Sequence, residues 1–350
     1  MGGSRPLANG QPPSPQTVCR HRRKRTQIAI TAWLAVILAF PLSLHAGSVG
    51  HPAGFGTWVW SKPFFATERA RQRLVRFCVK YGISHLDVQF TFQGVNPNRR
   101  LQDEEALRDL VALTGRHNIT MAALLGNPRM FFSQNHEQSL RELSAIIAFS
   151  KSLPEKSMFK GIKYDVEPYL TKEWKAKGEA LNTIMRDYLA FLRKAKTALR
   201  EQAPALWLAV DTPFWWDKED LALTFEGNTK RFSEHIQDLT DFIVVMSYRR
   251  SAAKVLGVTA DEMSYAKRIG KVILLSLETN ELKHDQDISY WDLPKEKLLD
   301  VVSQLFKSSR ENPVIGGLMV HSYRGLLEKL DDGGQQDKSE PAPGEDRLPE

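Results

Sequence analysis

The sequence predicts an α/β protein folded as a closed (β/α)8 barrel, and two observations carry that prediction. Short β-rich runs alternate with longer amphipathic stretches from residue 54 onward, and the runs number eight. Eight such units in about 280 residues match the usual size of a TIM barrel. A doubly wound open sheet is the structural competitor, but no glycine-rich phosphate loop follows the first run.

The runs are Gly54–Trp60, Ser84–Thr91, Asn118–Gly126, Phe159–Glu167, Leu206–Thr212, Asp241–Tyr248, Lys271–Glu278 and Val314–His321. Between them, Thr67–Tyr81, Asp103–His117, Gln138–Ser152, Lys172–Gln202 and Lys295–Ser309 place apolar residues three and four apart, the spacing of helices with one buried face. Cys78 falls in such a stripe with Leu74 and Phe77 and is expected to be a buried, inert thiol. Cys19, the other cysteine, precedes the apolar leader, so no disulfide framework is expected in the exported part.

The ends of the 350-residue chain read differently. Residues 1–46 hold Arg5, Arg20, Arg22, Arg23, Lys24 and Arg25 and no acid, leaving 42 of the 48 basic residues against all 41 acidic ones. Nearly all of the net charge of +7 therefore belongs to the leader, and a nucleic-acid surface is not expected. The basic cluster precedes thirteen largely apolar residues, Ile28–Phe40, and then small residues around Ala46 and Gly47. This is the layout of a signal peptide, and as a helix the apolar run spans roughly 20 Å, short of the roughly 30 Å bilayer core. The expected organisation is a signal peptide over 1–46, with an uncleaved membrane anchor as the alternative. A barrel domain over 47–330 and a disordered tail over 331–350 follow. The barrel is thus expected outside the cytoplasm.

In such barrels the active site lies at the carboxyl ends of the strands. Those ends offer Trp58, Trp60, Gln89, Thr91, Asn127, Asp165, Glu167, Asp211, Tyr248, Arg249, Glu278, His321 and Tyr323. Acids, aromatics and amides converging on one rim suit a polyhydroxylated ligand, whose rings have apolar faces and whose edges are polar. No metal site and no cofactor are expected. Asp165 and Glu167 are two apart, so on a strand both point into the barrel mouth. Two neighbouring carboxylates cannot both ionise cheaply, and the one that keeps its proton can serve as a general acid near neutral pH. The alternative is that both satisfy strand-end amides or a lysine such as Lys163.

Phe159–Glu167 resembles the fourth-strand signature of the family 18 glycoside hydrolases, the chitinases and endo-N-acetylglucosaminidases. Met246-Ser247-Tyr248 is similar to that family's sixth-strand Met-x-Tyr, and Gly316–Ser322 to its last strand. The resemblance implies Glu167 as catalytic acid, Asp165 as its partner and Tyr248 as a substrate contact. The chain departs from the pattern at Lys160 and Lys163, where the family has aspartates. It departs again at Arg249, where an acid or amide follows the tyrosine, and at His321, in place of a tryptophan.

Glu278 offers a second mechanism, as a protein nucleophile on the seventh strand facing Glu167, or else an ion pair with Lys163 or Arg249. Phe214-Trp215-Trp216 reads as a stacking platform for sugar rings or as helix packing, and Trp174 as cover for the rim. The expected contacts are thus catalytic Asp165, Glu167 and Glu278, with Trp58, Trp60, Gln89, Asp211, Trp215, Tyr248, Arg249 and His321 binding substrate. The expected function is hydrolysis of glycosidic bonds in an extracellular or envelope polysaccharide; the alternative is a carbohydrate-binding barrel without catalysis. A metal-dependent phosphodiesterase is disfavoured because the first strand lacks a histidine-arginine pair.

Overall fold

A computed structural model of the chain describes residues 54–94, 98–283 and 285–331. The expected signal peptide or anchor lies outside the described residues, as does the expected tail apart from Asp331. No helix among the described residues is long and apolar enough to cross a membrane.

Eight strands form the barrel: β1 (Gly54–Val59), β2 (His85–Gln89), β3 (Thr120–Leu125), β4 (Phe159–Tyr164), β5 (Trp207–Pro213), β6 (Phe242–Met246), β7 (Ile273–Glu278) and β8 (Ile315–His321). All neighbours pair in parallel, and β1 pairs with both β2 and β8, which closes the sheet. The expected fold is the observed one.

The strands alternate between two environments because successive side chains point to opposite faces. Inward-facing Trp58, Ala122, Leu124, Trp207, Ala209, Phe242, Val244, Leu274 and Met319 form one buried cluster that fills the barrel. Large and small residues share its layers. Gly161 stands beside Trp207 in the register of β4 and β5, and a Cβ there would overlap the indole. Outward-facing residues meet the helices: Tyr164 packs edge-on to Phe131 and Phe191.

The helix over Glu68–Tyr81 shows the local logic. Thr67 caps it by accepting from the Ala70 amide at 3.2 Å, and Gly82 ends it with φ 67°, a left-handed conformation that glycine adopts without penalty. Leu74, Val75, Phe77 and Cys78 form its buried face, and burial pushes the Cys78 thiol up, as expected of an inert cysteine.

Three features differ from the sequence reading. The helix expected over Lys172–Gln202 is broken into Lys172–Lys175 and Gly178–Gln202, because Lys177 and Gly178 both have φ 58°. Two hairpins, Phe92–Gln93 with Arg100–Leu101 and Ala222–Phe225 with Asn228–Arg231, decorate the loops after β2 and β5. Strand β4 ends at Tyr164, so Asp165–Glu167 continues its path beyond regular pairing, anchored by the Asp165 amide on the Leu125 carbonyl at 2.8 Å.

Candidate active site

The inward-facing residues of β4 climb the barrel from Gly161 through Lys163 to Asp165 and Glu167. Lys163 is 1% exposed and lies in the barrel interior, its Nζ 2.5 Å from Asp87 Oδ2, 3.1 Å from Asp211 Oδ1 and 3.7 Å from the centroid of the Trp58 ring. The two carboxylate contacts are ion pairs without hydrogen-bond alignment. Trp58 Nε1 donates to Asp211 Oδ2 at 2.9 Å, and His85 links Asp87 Oδ1 to Thr120 Oγ1 at 2.8 and 2.7 Å. Burial raises Asp87, but Lys163 and His85 outweigh it and hold Asp87 below the usual carboxylate range. Burial, helped by Asp165 and Asp87, keeps Asp211 well above that range despite Lys163. One ammonium thus faces two carboxyls whose proton affinities are pushed in opposite directions.

Asp165 and Glu167 stand on top of this cluster. Burial and then the charge of Glu167 push Asp165 up to about 7, against the pull of His321 and Lys163. Burial also raises Glu167, although the Tyr169 hydroxyl donates to its carboxylate and lowers it in part. The pair therefore shares a proton near neutral pH, as two crowded carboxyls in a dry site must. Buried Oδ1 of Asp165 has no hydrogen-bond partner among the described residues. Such an oxygen is costly unless a ligand supplies a donor.

Across the mouth, Trp60, His321 and Glu278 form a chain. Trp60 Nε1 donates to His321 Nε2 at 2.9 Å, so the imidazole proton sits on Nδ1, which lies 2.8 Å from Glu278 Oε2. Glu278 Oε1 accepts from the Thr279 and Asn280 amides at 2.8 and 2.7 Å and from Asn280 Nδ2 at 2.9 Å. Neither the Lys163 nor the Arg249 pairing considered for Glu278 forms: Lys163 is consumed inside the barrel, and Glu278 pairs with His321. Tyr248 stacks on His321 with ring centroids 6.3 Å apart and planes at 28°.

A cavity of about 690 Å³ opens between the acid pair and this chain. Trp60, Gln89, Asp165, Glu167, Trp215, Tyr248, Arg249, Glu278 and His321 all line it. Trp58 and Asp211 do not. Each is 1% exposed, one rung lower, and their expected place as substrate contacts is replaced by a place in the cluster under Asp165. The aromatic triplet divides: Phe214 and Trp215 face the cavity, whereas Trp216 is wholly buried and stacks on Trp174 at 5.9 Å. Gly126 leaves no room for a side chain, since a Cβ there would lie 2.6 Å from the Asp165 carbonyl oxygen and 3.0 Å from the Trp60 ring.

Sequence reasoning missed Asp87, His85, Tyr169 and Asn280. The first two were detectable, because His85-x-Asp87-x-Gln89 puts polar residues on one face of a strand that ends at the rim. Tyr169 and Asn280 lie in loops two residues past Glu167 and Glu278, where no periodicity operates. Among the described residues no group of three or more His, Cys, Asp or Glu side chains is placed to hold a metal ion.

A closed parallel eight-stranded barrel with a buried carboxyl pair in an aromatic cleft at its carboxyl end defines a (β/α)8 TIM barrel with a candidate ligand site at its mouth. No protein-family model and no curated protein matches the sequence. Among solved structures, the chain is similar to the exo-beta-1,4-mannosidase Op5Man5 from Opitutaceae bacterium strain TAV5, with a TM-score of 0.53 and 12% identity over 79% of this chain and 52% of that one. A calcium binding mutant of Bacteroides uniformis beta-glucuronidase 2 gives 0.52 and 12% over 78% and 31% of the two chains. A family 18 chitinase from Crocus vernus gives 0.45 and 12% over 78% and 94%. At such identities the first two likenesses are likenesses of fold.

Proposed function

We propose that the protein hydrolyses O-glycosyl bonds of an extracellular or envelope polysaccharide, with Glu167 as general acid and Asp165 as its partner. One observation carries the reading: two buried carboxyls with raised proton affinity lie side by side in a cleft walled by Trp60, Trp215 and Tyr248. Protonated Glu167 gives its proton to the leaving oxygen. Asp165 keeps a buried acceptor for a donor on the substrate, such as the N–H of an acetamido group. Glu278 has both oxygens engaged, which supports attack by a group on the sugar itself over attack by this carboxylate. In this scheme Glu278 fixes the His321 ring, and Trp215 and Tyr248 stack on the sugar. The export signal read in residues 1–46 fits a substrate outside the cytoplasm.

Release of reducing ends from a panel of bacterial polysaccharides tests the proposal. Wild-type protein should release them, and Glu167→Gln should lower turnover by about 10²- to 10⁴-fold while keeping affinity. Undiminished turnover by Glu167→Gln removes the residue from catalysis. Binding without product release by the wild type would establish the alternative, a carbohydrate-binding barrel without catalysis.

A further inference from the structure

We infer that the cleft selects a sugar carrying a carboxylate, which Arg249 grips. The inference rests on reading the cavity as a sugar site and adds the class of sugar.

Arg249 follows Tyr248 at the end of β6 and lines the cavity. Its guanidinium lies over the Phe214 ring, 4.5 Å from the centroid, and Nη1 donates to the Tyr248 carbonyl at 2.7 Å. The hydroxyl of Tyr290 donates to the Arg249 carbonyl at 3.2 Å and ties down the backbone. The side chain is therefore held at two places and its backbone at a third, with one face of the guanidinium covered and the other N–H donors unused.

Among the described residues no carboxylate lies within ion-pair distance of this guanidinium, which leaves its charge available to a ligand. Among the described residues Arg249 forms no ion pair, whereas its cationic neighbours do: Lys62 pairs with Asp103 at 2.7 Å, and Arg250 with Asp292. Asp285 lines the same cavity without pairing to Arg249. The acids nearest the reaction do not take its place, since Glu278 is bound by His321 and Asp165 and Glu167 share a proton.

A stacked guanidinium with free N–H groups in its plane matches a planar carboxylate, which it can meet with two parallel hydrogen bonds. An acid or amide at this position would present an acceptor to a sugar hydroxyl; arginine presents a cation. Arginine in this place therefore suits an acidic sugar.

Equilibrium binding to paired oligosaccharides tests the inference without requiring turnover. Each pair consists of a hexuronic-acid oligosaccharide and the same compound after reduction of its carboxyl groups to alcohols; a sulfated neutral oligosaccharide is the third probe. Full-length wild-type protein should bind the acidic member about tenfold tighter than its reduced partner, as a charge-assisted hydrogen-bond pair implies. Arg249→Gln should erase the preference and keep the affinity for the reduced member, and Arg249→Lys should restore part of it. Equal affinity of the wild type for both members, or binding of neither, overturns the inference. So does a preference that survives in Arg249→Gln, and so does tighter binding of the sulfated probe than of the acidic one. Failure of hydrolysis with the acidic preference intact removes only the catalytic reading.

Discussion

His321 Nδ1 lies 2.8 Å from Glu278 Oε2 while Trp60 donates to the opposite ring nitrogen, so the imidazole is aimed edge-on at a carboxylate. With three more donors on Oε1, Glu278 is a built-in acceptor and not an exposed base. This arrangement separates two mechanisms that look alike in sequence.

Glu278→Ala should lower turnover through displacement of His321, and added azide should not restore it, since no attacking atom has been removed. Asp165→Asn should cost about 10²-fold in kcat, because the carboxyl that shares a proton with the acid is lost. Formation of a glycosyl azide by Glu278→Ala would instead make Glu278 the nucleophile.

Asp165 gives stability a distinctive pH dependence. Its ordinary value is 3.8, and burial with the charge of Glu167 pushes it up to about 7. The folded state therefore holds a proton that the unfolded state releases, so this contribution is fully present below about pH 4 and is lost as pH rises through about 7. Asp165→Asn should flatten that limb and raise the melting midpoint by a few degrees at pH 8 relative to its effect at pH 4, on the order of 1 kcal/mol or more. Melting curves across the range check this; a wild-type midpoint that does not fall over the window removes the raised carboxyl from the account. Activity should decline over the same limb as the shared proton is lost.

Removing the buried ammonium should be severe. Lys163→Met leaves Asp87 and Asp211 facing each other in the barrel, and breaking a buried pair in this way costs about 3–5 kcal/mol. Denaturant titration measures it. A loss below about 1 kcal/mol would mean that the cluster readily takes up protons or water in place of the lysine.

The adjacent tryptophans 215 and 216 should behave oppositely. Trp216→Ala empties a fully buried site and should cost about 3–5 kcal/mol of stability. Trp215→Ala should leave stability nearly unchanged and weaken oligosaccharide binding roughly threefold to tenfold, the scale of one stacking contact. Equal effects of both on binding would show that the platform acts as a unit.

The strands were legible because inward and outward residues alternate, and most of the rim followed from the rule that strand ends build the site. Height was not legible. Trp58 and Asp211 have the right face, but strand stagger puts them one layer below the cleft, and period-two alternation carries no information about depth. The Lys163 cluster was hidden for a related reason: Asp87, Lys163 and Asp211 come from β2, β4 and β5, which converge only when the barrel closes. The break at Lys177 and Gly178 was overridden by the apolar spacing on both sides, although a lysine-glycine step inside a long helix already hints at a stop. The loop hairpins left no apolar pattern, since only Leu101 and Leu223 among their strand residues are buried.

Gly126 sits where the backbone of Asp165 and the ring of Trp60 come together. The strand carrying the acid pair and the ring of Trp60 approach each other across a glycine with no room for a methyl group. The acid pair and the Trp60 ring that holds the imidazole depend on that spacing, yet residue 126 carries no chemistry of its own. A one-carbon change here acts on both halves of the site together, so searches for altered specificity in this scaffold have a position where the smallest substitution is the most drastic.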